Sequence, residues 1–406
     1  MSRRRKLLLH MAFGWINLSL AAPAIYLWLG LPLIMRQQGW SGSEIGLFQL
    51  AGLPAVFKLF LALPIERKSD ATAPCRQWFS VTSCGYLFTL LALAATDGTA
   101  SKMLLFTLVF LAALCAAWAD IPANTLALKS LAAEEHARLG SVRSAATFIA
   151  AILGGGAMLL VEQSWGWRAP LIVLAVAVAS TILTIGFVRE TGEGNQSQQP
   201  TAIALWRGFL LQSDGRCWTA ALLCYFPCIA SAWVYLKPLL LDQGFPPGQV
   251  AWIAGIGGGV IGVLSSLAIG LLAPARLPKM LTLSAGVNVL TLLLLAVANE
   301  YASRVLLQFA VPMLACAMGA TSALAFSLIM TFTRDHSRAA DYGLQASLFT
   351  LGRILAATLA GVVLDHLGYT LMLTTLAGTG VIAFLMMQRM EIAHRNDGAR
   401  QLPHRG

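Results

Sequence analysis

Apolar residues in this chain come in long uninterrupted blocks, each closed by a cluster of charged, Gly or Pro residues. The blocks fall near residues 12–34, 44–63, 77–95, 103–125, 141–161 and 169–188, and again near 215–240, 249–272, 280–298, 304–330, 342–364 and 370–388. About twenty apolar residues in helical rise cross the hydrocarbon of a bilayer, so each block is long enough to span. Backbone polar groups in lipid must be satisfied within the segment, which makes each span a helix. The pattern predicts an all-α membrane protein with twelve transmembrane helices, six in residues 1–188 and six in residues 215–406, the second set ending in a short tail. Residues 189–214 form the longest polar stretch, opening Arg189-Glu190-Thr191-Gly192-Glu193-Gly194. Its composition is that of a flexible linker. An amphipathic piece around Ala204–Leu211 is expected to lie on the membrane surface.

Composition agrees. The 406 residues are 57% hydrophobic and 11% charged, against about 25% charged in a soluble domain. This excludes a soluble enzyme, a nucleic-acid module and a secreted disulfide scaffold. The formal charge of +10 does not imply a polyanionic partner, because the basic residues are unevenly placed. Most lie at the termini and in every second loop, while Arg36, Lys102, Arg168 and Arg304 lie in the opposite loops. That asymmetry puts both termini in the cytoplasm. The basic start Arg3-Arg4-Arg5-Lys6 resembles a secretory leader, but the apolar run behind it is longer than a leader core and holds Pro23 and Pro32, so it is read as the first span. Seven scattered cysteines, with Cys217, Cys224 and Cys228 on one helical face and no His or carboxylate beside them, are read as small packing residues.

No nucleotide-binding G-x-x-x-x-G-K-[ST] is present, nor H-E-x-x-H or G-x-S-x-G, and no histidine falls mid-span, so neither ATP hydrolysis nor a membrane hydrolase is supported. No cofactor or metal is expected. The chemistry left is a short set of charges inside apolar blocks, each costing about 2.5–3.5 kcal/mol at a helix centre. Lys58 lies in the second span, Asp120 in the fourth and Arg353 near the middle of the eleventh. Asp120 beside a movable Lys58 can exchange a proton or can form a structural ion pair, and sequence leaves both open. Glu44 and Lys237 lie near span ends, where snorkelling accounts for them.

The two halves resemble each other. Gly39-Trp40-Ser41-Gly42-Ser43-Glu44-Ile45 opens the second span and Gly244-Phe245-Pro246-Pro247-Gly248-Gln249-Val250 the eighth. Gly166-Trp167 follows the fifth span as Gly368-Tyr369 follows the eleventh. A parallel six-helix repeat of this kind points to the major facilitator fold. In it the glycines of spans five (Gly154, Gly155, Gly156) and eight (Gly255, Gly257, Gly258, Gly259, Gly262) serve close helix packing, and that fold places spans five and eight across the interface between halves.

Gly52-Leu53-Pro54-Ala55-Val56-Phe57-Lys58 through Pro64-Ile65-Glu66-Arg67 resembles the second span of the muropeptide permeases and their relatives, the acetyl-coenzyme A transporters and the single-chain siderophore permeases of the rhizobactin and pyochelin type. Ala119-Asp120-Ile121 is similar to that group's Gln-Asp-Ile, and Tyr342-Gly343-Leu344-Gln345-Ala346-Ser347 through Arg353 to its eleventh span. Where muropeptide permeases commonly carry a second aspartate four residues on, this chain has Asn124. The resemblance implies that spans one, four, seven and ten line the cargo path. The residues there include Asn17, Trp118, Tyr225, Phe226 and Trp233. Rings suit a flat aromatic ligand, and donors for a sugar-peptide are few. The expectation is therefore a monomeric bacterial inner-membrane permease that imports a siderophore with protons. Muropeptide import, export of a drug or metabolite by the same fold, and a membrane sensor remain open.

Overall fold

The computed structural model describes residues 2–31, 34–35, 48–67, 74–96, 101–188, 190, 202–212, 215–273 and 276–400. Glu44, the rest of the Gly39–Ile45 turn and the centre of the linker lie outside them. The described residues are helical almost throughout. They form α1 (Arg3–Ile25), α2 (Lys58–Leu61), α3 (Leu63–Arg67), α4 (Pro74–Ala95), α5 (Lys102–Ser130), α6 (Ala133–Ile152), α7 (Met158–Trp165), α8 (Arg168–Gly186), α9 (Ala202–Leu210), α10 (Gly215–Leu222), α11 (Tyr225–Asp242), α12 (Pro247–Val250), α13 (Gly258–Gly270), α14 (Leu277–Glu300), α15 (Arg304–Thr331) and α16 (Arg338–Arg400). Among the described residues ten segments are long and apolar enough to cross a membrane, and the last of these, Asp335–Arg389, contains two expected spans.

Glycine divides that segment. Gly368 has φ 79°, as Gly166 has φ 76° between α7 and α8 and Gly244 has φ 79° after α11. A side chain is strained in this left-handed region, so glycine ends the helix and turns the chain. Each of the three is followed by an aromatic residue, and two of these tie the turn down. The Trp167 indole donates to the Leu93 carbonyl at 2.9 Å and the Tyr369 hydroxyl to Asp242 at 2.7 Å.

The second span is not the single helix that hydropathy predicts. Its described part is a 3₁₀ turn over Gln49–Ala55, then α2 and α3. Pro54 supplies no N–H and Gly52 leaves room for the Trp28 ring, so the helical ladder breaks just before Lys58. The break sets the direction in which Lys58 projects.

The chain forms two compact units. One comprises residues 1–206 with 329–347, the other residues 207–328 with 348–406. In the first, α4 packs on α5 and α8, and α1 on α5, α6 and α8. Gly154 faces the Ala22 carbonyl and the Tyr26 amide of the first span, where a Cβ has no room. In the second, Gly319 of α15 lies on Gly262 of α13 in the same way, and Ser266 donates to the Gly319 carbonyl at 3.1 Å. These two glycines of spans five and eight thus serve close packing inside their own units, as the small side chain permits. Thiols of Cys217, Cys224 and Cys228 reach backbone carbonyls of Met386, Ala220 and Tyr225, a packing role for all three.

Candidate functional site

The first unit buries a charged cluster around Asp120. Asp120 sits on α5 where small neighbours, Ala117, Ala119 and Ala123, let other helices approach. Lys58 donates to its Oδ2 at 2.6 Å. Arg143 of α6 lies 3.0 Å from Oδ1 through Nη1 and 3.3 Å from Oδ2 through Nη2. The Tyr342 hydroxyl, on the first turn of α16, donates to Oδ2 at 2.7 Å. Asn124, one turn further along α5, donates to Oδ1 at 2.9 Å. The carboxylate therefore meets donors from four side chains, two of them cations, and the cluster carries a formal charge of +1. Such charge-assisted bonds are the strong ones. The Arg143 guanidinium also lies 5.4 Å from the centre of the Tyr342 ring.

Asn124 takes its place through chemistry that an aspartate lacks. Its amide donates to both the Asp120 side chain and the Asp120 carbonyl, the latter at 2.7 Å. A carboxylate there would face another carboxylate.

Residues 329–347 bring Tyr342 to the cluster and are themselves pinned to the first unit. Ser347 accepts from the Leu59 amide at 2.8 Å, and Gly343 lies against the Lys58 carbonyl. Arg334 holds Asp341 in a bidentate pair, 2.8 Å through Nε and 2.7 Å through Nη2, and donates to the Leu205 carbonyl. Glu66, beyond the end of the second span, accepts from the Ala340 amide at 3.0 Å, at the N-terminus of α16. Burial pushes the Glu66 carboxyl up, against the pull of the Ala340 and Ala339 amides. Tyr342→Phe removes one hydrogen bond to a charged acceptor and leaves the ring in place. It is expected to destabilise the protein by about 1.5–3 kcal/mol, read from thermal unfolding of the purified protein, and an unchanged transition would show that the hydroxyl contributes nothing.

The second unit holds the other expected residues. Arg353 is exposed, and it has no ion-pair or hydrogen-bond partner among the described residues. One turn before it, Phe349 stacks on Phe226 at 4.7 Å and 21° and meets Phe326 at 5.1 Å. Trp233 is half-buried, its ring over Gly258. Tyr225 is fully buried, its hydroxyl satisfied by Ser284 of α14. Two residues of the first unit also turn inward. Trp118 pairs with Trp78 of α4 at 5.2 Å, and Asn17 donates to the Phe13 carbonyl of its own helix at 2.8 Å. Trp118, Tyr225 and Asn17 are thus engaged in helix packing in this state.

Sequence reasoning found Lys58 and Asp120 and missed Arg143 as well as Tyr342, Phe349 and Phe326. Arg143 stood at the very start of its hydrophobic block, where a basic residue reads as a flank. Its signal was the lack of any nearby acid on α6 at helical spacing.

The model of the Major Facilitator Superfamily matches residues 9–357. Among solved structures, the human organic anion transporter MFSD10 (TETRAN) superposes with a TM-score of 0.76 at 14% identity, over 95% of this chain and 100% of that one. The E. coli fucose:proton symporter FucP gives 0.72 at 15%, over 96% and 98%. A bacterial homologue of the iron transporter ferroportin gives 0.70 at 13%, over 96% and 99%.

Proposed function

From a chain that belongs to the Major Facilitator Superfamily, and is therefore a multi-pass membrane transporter and not an enzyme, we propose a proton-coupled permease that imports an anionic, ring-bearing small molecule of the siderophore class across a bacterial inner membrane, both termini cytoplasmic, as a monomer. The observation that carries the reading is Arg353. A guanidinium in mid-span with no partner among the described residues is too costly to face lipid, so it is assigned to water or cargo. Its fork suits a carboxylate or phenolate. Phe349 shares its helical face, and behind it Phe226 and Phe326 make a rigid aromatic wall. Rings of this kind add about 0.5–1.5 kcal/mol to binding of a flat ligand beyond lost area. Trp233 is assigned to the same wall.

Asp120 is assigned the coupling role. With its carboxylate ionised, Asp120 accepts hydrogen bonds from Lys58, Arg143, Tyr342 and Asn124. A proton on Asp120 removes the negative charge that Lys58 and Arg143 share and weakens the hold on Tyr342, so residues 329–347 come free of the cluster. Loss of the proton restores it. In this scheme a gradient is read as the making and breaking of one buried set of contacts.

Proteoliposomes that hold the purified protein and an inward proton gradient test the whole reading. Uptake of a labelled phenolate siderophore should exceed that of a muropeptide, and Phe226→Ala and Phe349→Ala should each weaken siderophore uptake several-fold while Phe→Tyr changes stay mild. Preferential uptake of the muropeptide, insensitive to both Ala variants, would overturn the choice of cargo.

A further inference from the structure

A groove of about 510 Å³ opens on the first unit, lined by Arg76, Gln77, Ser80 and Val81 of α4 and by Ile182, Ile185 and Gly186 of α8. Its surroundings are apolar and outward: Val81, Leu183 and Phe187 are 68%, 71% and 89% exposed. In a membrane protein such a face is covered by lipid. The polar residues lie at one end only, the N-terminal turns of α4 and the side of the positively charged loops.

Among the described residues the charges at that end do not cancel. Glu190 is the nearest described carboxylate, and it is already spent: it accepts from the amides of Cys75 and Arg76, each at 3.2 Å, and pairs with Lys129 at 3.6 Å. Among the described residues nothing accepts a hydrogen bond from the Arg76 guanidinium. A cation whose guanidinium has no acceptor among the described residues thus stands at the polar end of an apolar slot between two helices.

The geometry points to a binding site for one acidic phospholipid of the inner leaflet, its phosphate on Arg76 with Ser80 and Gln77 beside it and one acyl chain along Val81, Ile182 and Ile185. Basic pockets between membrane helices on the cytoplasmic side are suited to such headgroups. The headgroup supplies an anion that the described residues do not give Arg76, and the acyl chain fills a slot that those residues leave open. The groove lies wholly within the first unit and is separate from the Asp120 cluster.

The test is native mass spectrometry of the full chain, delipidated in mild detergent and titrated with phosphatidylglycerol, with phosphatidylcholine of the same chains, and with inorganic phosphate. The first phosphatidylglycerol should bind about five-fold more tightly than phosphatidylcholine, the effect of one basic residue at a lipid surface. Arg76→Gln should remove that preference and Arg76→Lys keep most of it. An added Cβ at Gly186 meets no atom within 4 Å, so Gly186→Leu should fit and, by filling the slot, weaken both lipids. Equal binding of the two lipids by the native protein overturns the proposal, as does a preference that survives Arg76→Gln. Displacement of phosphatidylglycerol by inorganic phosphate would make this a soluble-anion site and overturn the lipid assignment. Should Arg76→Gln fail to fold, the headgroup comparison on the native chain and Gly186→Leu still decide.

Discussion

Asp120→Asn is expected to abolish gradient-driven accumulation of cargo and to destabilise the protein by about 3–5 kcal/mol, the range for taking one partner from a buried ion pair. The reason is charge arithmetic. Among the described residues Lys58 and Arg143 both pair with Asp120, which therefore balances two cations at once. Its loss leaves two buried cations side by side. Lys58→Met is a milder change, because a neutral Asp120–Arg143 pair survives, and its cost should be nearer that of one charged hydrogen bond, about 1.5–3 kcal/mol. The double variant keeps a single cation and should fall between them, so removing Lys58 partly rescues the Asn substitution. Thermal unfolding and proteoliposome uptake report the two effects separately. Counterflow, which needs no net proton movement, should persist in whatever fraction of Asp120→Asn folds. Normal accumulation by that variant would make Asp120 purely structural, and equal damage from Lys58→Met would refute the charge count.

Arg353→Ala should behave in the opposite way. Nothing among the described residues pairs with this guanidinium, so removing it breaks no ion pair or hydrogen bond there and lifts a charge out of an apolar span. Its melting temperature should stay the same or rise. Uptake should suffer, because a charged hydrogen bond to cargo is worth about 1.5–3 kcal/mol, a rise in apparent KM of about ten- to a hundred-fold. Arg353→Lys should fall between, since it retains the charge and loses the paired donors. Uptake and folded protein lost in parallel would mark Arg353 as a packing residue.

Sequence by itself determined the architecture: membrane insertion, twelve spans and a twofold repeat follow from block length and from the Gly-aromatic pairs at 166–167, 244–245 and 368–369. These are local properties. Hydropathy is summed over one segment, and a left-handed turn needs only its own glycine. Lys58, Asp120 and Arg353 were legible for a related reason, since a charge in a hydrophobic block stands out against its neighbours. Only the tertiary structure decided what those charges meet. Tyr342 bonds Asp120 across 222 positions and Lys58 does so across 62. No spacing rule links residues so far apart, and Tyr342 is an ordinary residue at a span boundary until the fold delivers its hydroxyl. The same holds for helix faces. Trp118 and Asp120, two positions apart on α5, point about 200° apart around the helix, so one stacks on α4 while the other gathers a charged cluster from three other segments. The break after Pro54 was visible as a proline. That it aims Lys58 at Asp120 was set by the packing of α2 against α5, because a short helix takes its direction from what it packs on.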